Sequence, residues 1–225
     1  MTDSIAVAIP AYDAGPSVAD VVRRTLSFVP DVLVVDDGSR DKTRREATDA
    51  GAEVIFHERN FGKGAALRLA FSQLFARGFD AVVTVDADGQ HLPEEIPKLI
   101  EGWGQGGDLV MGTRDHLYAD MSRVRRASNT LSSRAISFFA GVSLRDCQTG
   151  FRLYTKRLID NTGFPEPRFE AESAVIVRAA RRGFEITAVP INLGFADGLS
   201  TSHYRPVIDS LRIAAAVARA RFERL

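Results

Sequence analysis

Short apolar runs alternate with amphipathic stretches along the first half of the chain. The runs are rich in β-branched residues and predict strands at Ile5–Ile9, Val32–Val35, Glu53–Phe56, Ala81–Val85 and Leu109–Met111. The stretches between them show helical spacing of apolar residues, at Val18–Phe28, Lys42–Ala50, Lys63–Arg77 and Glu94–Trp103, with Ser17 as the candidate N-cap of the first. This alternation predicts an α/β fold with a mostly parallel sheet flanked by helices.

The second half of the chain has longer helical stretches and fewer apolar runs. It predicts helices at Met121–Phe139, Glu170–Arg182 and 206–225, and strands at the end of the loop Asp146–Tyr154 and at Ile186–Ile191. No repeat or low-complexity linker interrupts it. We therefore expect a single domain over residues 1–225, with the segments 1–115, 116–205 and 206–225.

The last of these segments predicts a basic amphipathic C-terminal helix. Its apolar residues recur every three or four positions, at Ile208, Leu211, Ala215, Ala218, Phe222 and Leu225, and its arginines lie elsewhere. Such a helix can lie on an anionic membrane surface. It can equally pack against its own domain or against a partner subunit, so the pattern leaves all three open.

Composition narrows the class of protein. Lysine plus arginine equals aspartate plus glutamate, 29 of each among 225 residues, so no global positive field favours nucleic acid. The single Cys147 excludes an internal disulfide. The N-terminus has no signal-peptide pattern, and the longest nearly uncharged apolar stretch, around Ala135–Leu144, is too short to span a bilayer. We expect a cytoplasmic chain, with peripheral membrane contact open.

Polar clusters follow three of the strands, at Pro10–Gly15, Asp36–Asp41 and Asp86–His91. In open α/β sheets ligands bind beyond the carboxyl ends of the strands, so these loops are expected to converge on one site. In extended backbone, Asp86 and Asp88 point to the same side. Two carboxylates so placed suit a divalent cation that also binds a ligand's phosphates. The alternative is a polar turn that caps the strand.

The order of these motifs resembles that of the family 2 glycosyltransferases, which have the Rossmann-like GT-A fold. Within that family, the chain most resembles the dolichol-phosphate mannose synthase and polyprenyl-phosphate glycosyltransferase branch. The resemblance rests on Pro10-Ala11-Tyr12-Asp13, Asp36-Asp37-Gly38-Ser39, Asn60–Gly64, Asp86–His91, Gly112-Thr113-Arg114 and Asp146–Arg152. It implies an inverting, metal-dependent enzyme that uses Mg²⁺ or Mn²⁺. The enzyme would move a hexose from GDP-mannose or UDP-glucose to a dolichyl or undecaprenyl phosphate.

The resemblance also assigns roles to residues, with segment 1–115 binding the donor and segment 116–205 facing the acceptor. The nucleotide sugar would contact Pro10, Ala11, Tyr12, Asp13, Asp36, Asp37, Lys63, Asp86 and Ala87. The metal ligands would be Asp88 and Gln90, with Asp86 beside them, and the catalytic residues Asp88, Asp146 and Arg114. The acceptor phosphate would meet Arg114, Arg126, Arg134 and Arg205. His91 is expected to support the site rather than bind the metal.

Two other functions remain open. The acceptor could be a sugar hydroxyl of a glycan or glycolipid, with Asp146 removing its proton. The chain could also bind a nucleotide sugar without catalysis. A phosphate acceptor is favoured by the arginines at Arg114–Arg134, although each one alone could line a solvated helix face. The family often has a Ser-Lys pair where Ser202-His203 stands here, so His203 departs from the pattern.

Overall fold

The computed structural model describes residues 4–120, 123–194 and 206–223, with the side chains of 118–120, 123–128 and 206–207 outside that description. These residues form one seven-stranded sheet in the order β3-β2-β1-β4-β6-β5-β7. The strands are β1 (Ile5–Ala11), β2 (Val32–Asp36), β3 (Glu53–Phe56), β4 (Ala81–Thr84), β5 (Leu109–Thr113), β6 (Arg152–Thr155) and β7 (Ile186–Pro190). The predicted α/β architecture with a mostly parallel sheet is confirmed.

One strand runs against the others. β1 pairs in parallel with β2 and β4, β2 with β3, and β5 with β7. β6 comes from the second half of the chain and lies antiparallel between β4 and β5. Because of this insertion, the loop before β6 arrives at the edge where β4 ends.

Helices cover both faces of the sheet. They are α1 (Val18–Leu26), α2 (Thr43–Asp49), α3 (Lys63–Ala76), α4 (Ile96–Gly104), α5 (Arg123–Ala140), α6 (Lys156–Thr162), α7 (Glu170–Arg181) and α8 (Pro206–Phe222). The apolar side chains of α1, α2 and α4 pack on one face, and those of α3 and α5 to α8 pack on the other. Alternate residues of β1 supply the two cores, Ala6 and Ala8 to one and Val7 and Ile9 to the other. The short helix α6 was not predicted from the sequence.

The C-terminal helix α8 packs on its own domain, but not through the predicted stripe. Ala216, Val217 and Ala220 are buried, whereas Leu211 and Phe222 of the stripe are 67% and 80% exposed. Small residues let α8 approach α7 closely, and an ion pair and a hydrogen bond hold it there. Arg178 of α7 contacts Glu223 at 2.8 Å, and Arg181 donates to the carbonyl of Ala220 at 2.8 Å. The stripe therefore faces outward, and Leu225 lies outside the described residues.

Ser17 connects the start of α1 to the loop after β4. It precedes α1 as predicted, but its side chain makes no capping hydrogen bond. Its Oγ donates instead to the carbonyl of Ala87 at 2.6 Å, which ties the start of α1 to the loop after β4. Among the described helices, none is long and apolar enough to cross a membrane.

Candidate active site

The loops that follow β1, β2 and β4 meet at one edge of the sheet. Ala11 at the end of β1 lies in register with Asp36 at the end of β2, and Ala8 with Thr84 at the end of β4. Parallel strands bring their carboxyl ends together, so the three polar loops predicted to converge lie side by side. Pro10 and Ala11 belong to β1 itself, and Tyr12 begins the first loop with a half-buried side chain.

The first two loops are tied together at Asp13. This residue adopts a left-handed backbone with φ of 49°, which aspartate tolerates better than most residues. Its backbone N–H donates to Oγ of Ser39 at 2.9 Å, and its Oδ1 accepts from the N–H of Arg40 at 2.8 Å. The carboxylate thus fixes the loop after β2, and its contact with a ribose stays a prediction.

Asp36 and Asp37 are both buried, and each already has partners within the protein. Asp36 accepts the N–H of Ser39 at 2.9 Å and faces Nε of Arg44 at 3.2 Å. This is the turn-forming role that aspartate often has after a strand. Contact of Asp36 with the nucleotide remains a prediction.

Asp37 organises the segment that leads into α3. Its Oδ1 lies 2.6 Å from Nδ1 of His57 and 3.0 Å from the N–H of Phe61, and its Oδ2 accepts the N–H of Gly62 at 2.7 Å. Sequence reasoning missed His57 as its partner, because the two residues are on different loops. A nucleotide contact by Asp37 would have to be made in addition to these bonds.

The glycines at the start of α3 allow close packing of the chain rather than open space for a phosphate. Gly62 has φ of 105°, and a Cβ there would lie 2.5 Å from the carbonyl oxygen of Pro167. A Cβ on Gly64 would lie 2.7 Å from the carbonyl oxygen of Arg168. The N–H of Ala65 donates to Pro167 at 2.9 Å. The carbonyl groups of Pro167 and Arg168 therefore cover the N-terminus of α3. The positive group at this position is the Lys63 side chain.

Lys63 links two carboxylates that come from distant parts of the chain. Its Nζ lies 2.6 Å from Oδ1 of Asp86 and 3.0 Å from Oε2 of Glu172 at the start of α7. Burial alone would lower the pKa of Lys63, but the two carboxylates outweigh burial and raise the pKa above its usual value. The ammonium is therefore charged at neutral pH. Burial would raise the pKa of Asp86, but the positive charge of Lys63 holds that pKa below its ordinary value.

Gly150 brings the loop before β6 directly onto this ion pair. A Cβ added at Gly150 would overlap Nζ of Lys63 and would lie 2.6 Å from Oδ2 of Asp86. The carbonyl of Gly150 accepts from Oγ1 of Thr84 at 2.7 Å, which anchors the loop to the end of β4. A side chain here would require the Lys63 ammonium or the Asp86 carboxylate to move. Sequence reasoning placed Gly150 in a motif but gave it no role.

Asp88 lies in the turn that follows. Its Oδ1 accepts the N–H of Gln90 at 3.0 Å, across Gly89 with φ of 74°. Burial, and next the negative charge of Asp86, raise the pKa of Asp88 above its usual value. A carboxylate whose ionisation is disfavoured by a second carboxylate nearby is a natural place for a cation.

The donors present fit Mg²⁺ or Mn²⁺. Among the residues that the structure describes, no three His, Cys, Asp or Glu side chains form a ready-made cage. Asp86, Asp88 and Gln90 instead offer oxygen ligands on one short turn. Mg²⁺ is typically held by one or two carboxylates together with substrate phosphates, so an incomplete protein shell is what that use requires.

His91 packs beneath the turn. It is buried, with Nε2 at 3.3 Å from Oγ1 of Thr149 and its ring stacked on Phe151 at 5.6 Å between centroids. Burial lowers the pKa of His91 to about 4, which leaves the imidazole neutral at pH 7. Its Nδ1 lies 3.6 Å from Oδ2 of Asp86. These contacts agree with a supporting role.

Asp146, in the loop before β6, and Arg114, after the end of β5, form a buried ion pair. Oδ2 of Asp146 accepts from Nε of Arg114 at 2.9 Å and from its backbone N–H at 3.0 Å, and Oδ1 accepts from Nη2 at 3.2 Å. The N–H of Gln148 adds a fourth bond at 3.0 Å. Burial would raise the pKa of Asp146, but these hydrogen bonds and the guanidinium lower it.

This pairing disfavours the use of Asp146 as a catalytic base. A base must present a free oxygen and bind a proton readily, whereas Asp146 is fully buried, surrounded by donors and shifted toward the ionised form. In the structure Asp146 holds Arg114 in place, and its part in catalysis stays a prediction. The Nε and Nη2 groups of Arg114 are hydrogen-bonded to Asp146. Contact of Arg114 with an acceptor phosphate stays a prediction.

Arg152 is a buried residue that sequence reasoning did not select. It begins β6 and donates to the carbonyls of Thr149 at 2.8 Å and Cys147 at 2.9 Å, and also to that of Glu172. One side chain thus holds the Asp146–Thr149 loop against the start of α7. The available signal was a charged residue within a run that otherwise reads as a buried strand.

The remaining predicted phosphate contacts stay predictions. Arg134 is exposed on α5. The side chain of Arg126 and all of Arg205 lie outside the described residues. Cys147 is buried, and burial raises the pKa of its thiol to about 12.

Comparison with known proteins gives a consistent result. A model of the family described as Glycosyl transferase family 2 matches residues 6–163. Glycosyltransferase AglJ of Haloferax volcanii is 32% identical over 84% of this chain and 62% of its own length. An undecaprenyl-phosphate 4-deoxy-4-formamido-L-arabinose transferase of Pseudomonas fluorescens is 34% identical over 69% of this chain and 48% of its own length. The chain thus spans less than two thirds of these two relatives. An undecaprenyl-phosphate mannosyltransferase of Micrococcus luteus is 33% identical over 81% of this chain and 80% of its own length.

Solved structures agree on the fold. The glucosyl-3-phosphoglycerate synthase of Mycobacterium tuberculosis, in complex with Mn²⁺, UDP and phosphoglyceric acid, superposes with a TM-score of 0.77 at 20% identity. The match covers 100% of this chain and 80% of that one. The same enzyme with Mg²⁺ and UDP gives a TM-score of 0.73 at 23% identity, over 98% of this chain and 79% of that one. The chain has the GT-A fold.

Proposed function

The chain belongs to glycosyl transferase family 2, and from that premise we propose that it transfers a hexose from a nucleoside diphosphate sugar to a polyprenyl phosphate. The resemblance seen in its motifs is thereby confirmed at the level of the family. Support for the acceptor class comes from relatives such as the undecaprenyl-phosphate mannosyltransferase of Micrococcus luteus and the polyprenol monophosphomannose synthase of Mycolicibacterium smegmatis, which match most of their own length.

The observation that carries the proposal is the buried pair of Asp146 and Arg114. Transfer to a sugar hydroxyl needs a group that removes the hydroxyl proton, and the carboxylate expected to do so is saturated with hydrogen bonds. A phosphate monoester is largely ionised at neutral pH, with a second pKa of about 6, and needs no such base. The site is therefore better suited to an anionic acceptor.

The proposed reaction is a single displacement. An oxygen of the acceptor phosphate forms a bond to the anomeric carbon of the hexose, from the side opposite the nucleotide. The bond from that carbon to the diphosphate breaks, and the nucleoside diphosphate leaves with the electron pair, so the configuration inverts. No proton has to be moved in this step.

Charge on the leaving diphosphate must be stabilised, and in this proposal Lys63, a buried cation beside Asp86, contributes to that stabilisation. Asp88 and Gln90, with Asp86, would hold Mg²⁺ or Mn²⁺, which supplies further positive charge at the diphosphate. Asp86 and Glu172 keep Lys63 in place, because their carboxylates fix its Nζ from two sides. The loops that contain Tyr12, Asp13 and Asp37 would contact the base and ribose of GDP-mannose or UDP-glucose, the two donors that we would test first.

The substitution Asp88→Asn tests this arrangement. We expect transfer from the nucleotide sugar to fall by about 10²–10³-fold, the usual effect of losing one electrostatic contact in a transition state. The fold should be retained, since Asp88 is only partly buried. Asp49→Asn is the matched control, because Asp49 is an exposed carboxylate on α2. Normal turnover and normal dependence on divalent cation in Asp88→Asn would contradict the proposal.

A further inference from the structure

The outer helices α5 and α8 leave large apolar side chains uncovered. On α5, Leu131 and Phe138 are 71% and 80% exposed, and Val142 just beyond it is also exposed. On α8, the exposed apolar residues are Ile208, Leu211 and Phe222. We call these six residues the outer apolar face. Several large apolar side chains exposed on neighbouring helices are a feature that commonly marks an interaction site.

The two helices lie on the same side of the molecule. Both contact α7 and they also contact each other. α7 is buried along Glu170–Ala179, because the sheet lies beneath it and α5 and α8 cover it from outside. The inward residues Ser133, Ile136 and Ala140 of α5 are buried, so Leu131 and Phe138 point away from the domain. The outer apolar face therefore belongs to one layer.

This layer is also cationic. Among the α5 side chains that the structure describes, at residues 129–140, Arg134 is basic and none is acidic. α8 adds Arg212, Arg219 and Arg221 against a single Asp209. The whole chain has equal numbers of basic and acidic residues, so this excess is local to the layer. Exposed apolar side chains flanked by arginines are the pattern of helices that lie in the interface of an anionic bilayer.

We infer that the outer apolar face docks this protein on an anionic lipid surface. A second copy of the chain is the less suitable occupant, because pairing this face with itself would bring two cationic layers together. The inference rests on the proposed function in one respect, that a polyprenyl acceptor resides in a bilayer.

The face is also connected to the acceptor side of the candidate site. Oγ of Ser133 on the inner side of α5 accepts the N–H of Cys147 at 3.0 Å, in the loop that contains Asp146. Ser137 exchanges hydrogen bonds with the backbone of Leu144 at 3.0 Å. Docking through α5 would therefore hold the Asp146 loop close to the lipid surface from which the acceptor phosphate comes.

Vesicle co-sedimentation of the purified full chain tests the inference. Vesicles of phosphatidylcholine alone are compared with vesicles that also contain phosphatidylglycerol, with neither donor nor acceptor present. We expect binding to the anionic vesicles and loss of that binding at high salt. Phe138→Ser should weaken it about tenfold, as expected for one large apolar side chain. Arg134→Gln should weaken it about fivefold, as expected for one cation at an anionic surface.

Phe28→Ser is the matched control, since Phe28 is an exposed phenylalanine at the end of α1, on the opposite face of the sheet. It should bind vesicles as the unmodified protein does. Failure of the unmodified protein to bind anionic vesicles would overturn the inference. So would equal losses in Phe138→Ser and Phe28→Ser, or a dimer in solution that Phe138→Ser dissociates without changing vesicle binding.

Transfer to a short-chain polyprenyl phosphate in detergent separates this inference from the proposed function. Phe138→Ser should keep its turnover in detergent while losing vesicle binding. Protein that binds vesicles but transfers no sugar contradicts the proposed function alone. Protein that transfers sugar in detergent but does not bind anionic vesicles contradicts the docking surface alone.

Discussion

Gly150→Ala is the sharpest perturbation that the candidate site offers. The backbone of Gly150 does not have a positive φ, so alanine brings no backbone strain and acts only through its methyl group. That group would overlap Nζ of Lys63 and would lie 2.6 Å and 2.9 Å from the two carboxylate oxygens of Asp86. The substitution therefore targets the Lys63–Asp86 ion pair without removing either charge.

The size of the effect follows from these distances. Ordinary contact needs about 3.5 Å between heavy atoms, so the carboxylate of Asp86 must retreat by about 0.9 Å. Widening the ion pair from 2.6 Å by that amount costs about 1–2 kcal/mol at an effective dielectric constant of about 20. Overpacking of this kind destabilises a fold by about 1–3 kcal/mol. Misplacing a catalytic group by about 1 Å can lower the rate about 10²-fold.

The assay is kcat/KM for sugar transfer together with urea unfolding. Gly104→Ala is the matched control, because Gly104 lacks a positive φ and a Cβ there meets no atom within 4 Å. We expect Gly150→Ala to lose about 10²-fold in kcat/KM and to remain folded, and Gly104→Ala to be nearly unchanged. Equal turnover in the two variants would refute the reasoning that the Lys63–Asp86 pair must keep its present geometry.

Two further substitutions test the buried carboxylates. Asp146→Asn should lower the free energy of unfolding by about 3–5 kcal/mol, because it leaves the charge of Arg114 buried and unpaired. The double variant with Arg114→Met should recover much of this lost stability. An additive loss of stability in urea unfolding would contradict the pairing. Since the pKa of Asp146 is lowered on folding, its contribution is present above the unfolded pKa and disappears as the pH falls through the folded pKa, so Asp146→Asn should flatten the acid limb of the stability curve. Asp37→Asn should cost about 1.5–3 kcal/mol, because an amide N–H₂ would face a donor near Gly62 or Phe61, and a loss no larger than that of Asp49→Asn would contradict its role in shaping the start of α3.

The local parts of the fold could be predicted from the sequence, and the reason is periodicity. The five strands of the first half alternate with helices and carry their polar loops at their carboxyl ends, which is enough to place Asp36, Asp86 and Asp88 at one edge. The antiparallel insertion of β6 between β4 and β5 could not be predicted in this way, because strand pairing between distant segments leaves no local signal.

The terminal helix shows a second limit. Its strongest apolar stripe, which contains Leu211 and Phe222, is compatible with contact to a membrane, to the domain or to a partner subunit, while packing on the domain uses Ala216, Val217 and Ala220. Small residues carry little weight in a hydrophobic pattern, yet they permit the close approach of α8 to α7. The pattern correctly found an apolar face but could not decide which face the domain covers.

The electrostatics of the site were the least predictable feature. Lys63 is far from Glu172 in the sequence, and Arg114 is separated from Asp146 by the whole of α5. Motif order suggested roles for Lys63, Arg114 and Asp146 individually. It could not show that Arg114 neutralises Asp146, because that depends on the loop before β6 meeting the end of β5 in three dimensions.

A comparison of two acceptors tests the central claim most directly. Purified protein is incubated with a radiolabelled nucleotide sugar, divalent cation and either a polyprenyl phosphate or the polyprenol of equal chain length, and the labelled lipid is measured. Because Asp146 is neutralised by Arg114 and an ionised phosphate needs no base, we predict a labelled product from the phosphate and none from the alcohol. Equal labelling of the alcohol, or labelling of a sugar hydroxyl in preference to the phosphate, would contradict the account.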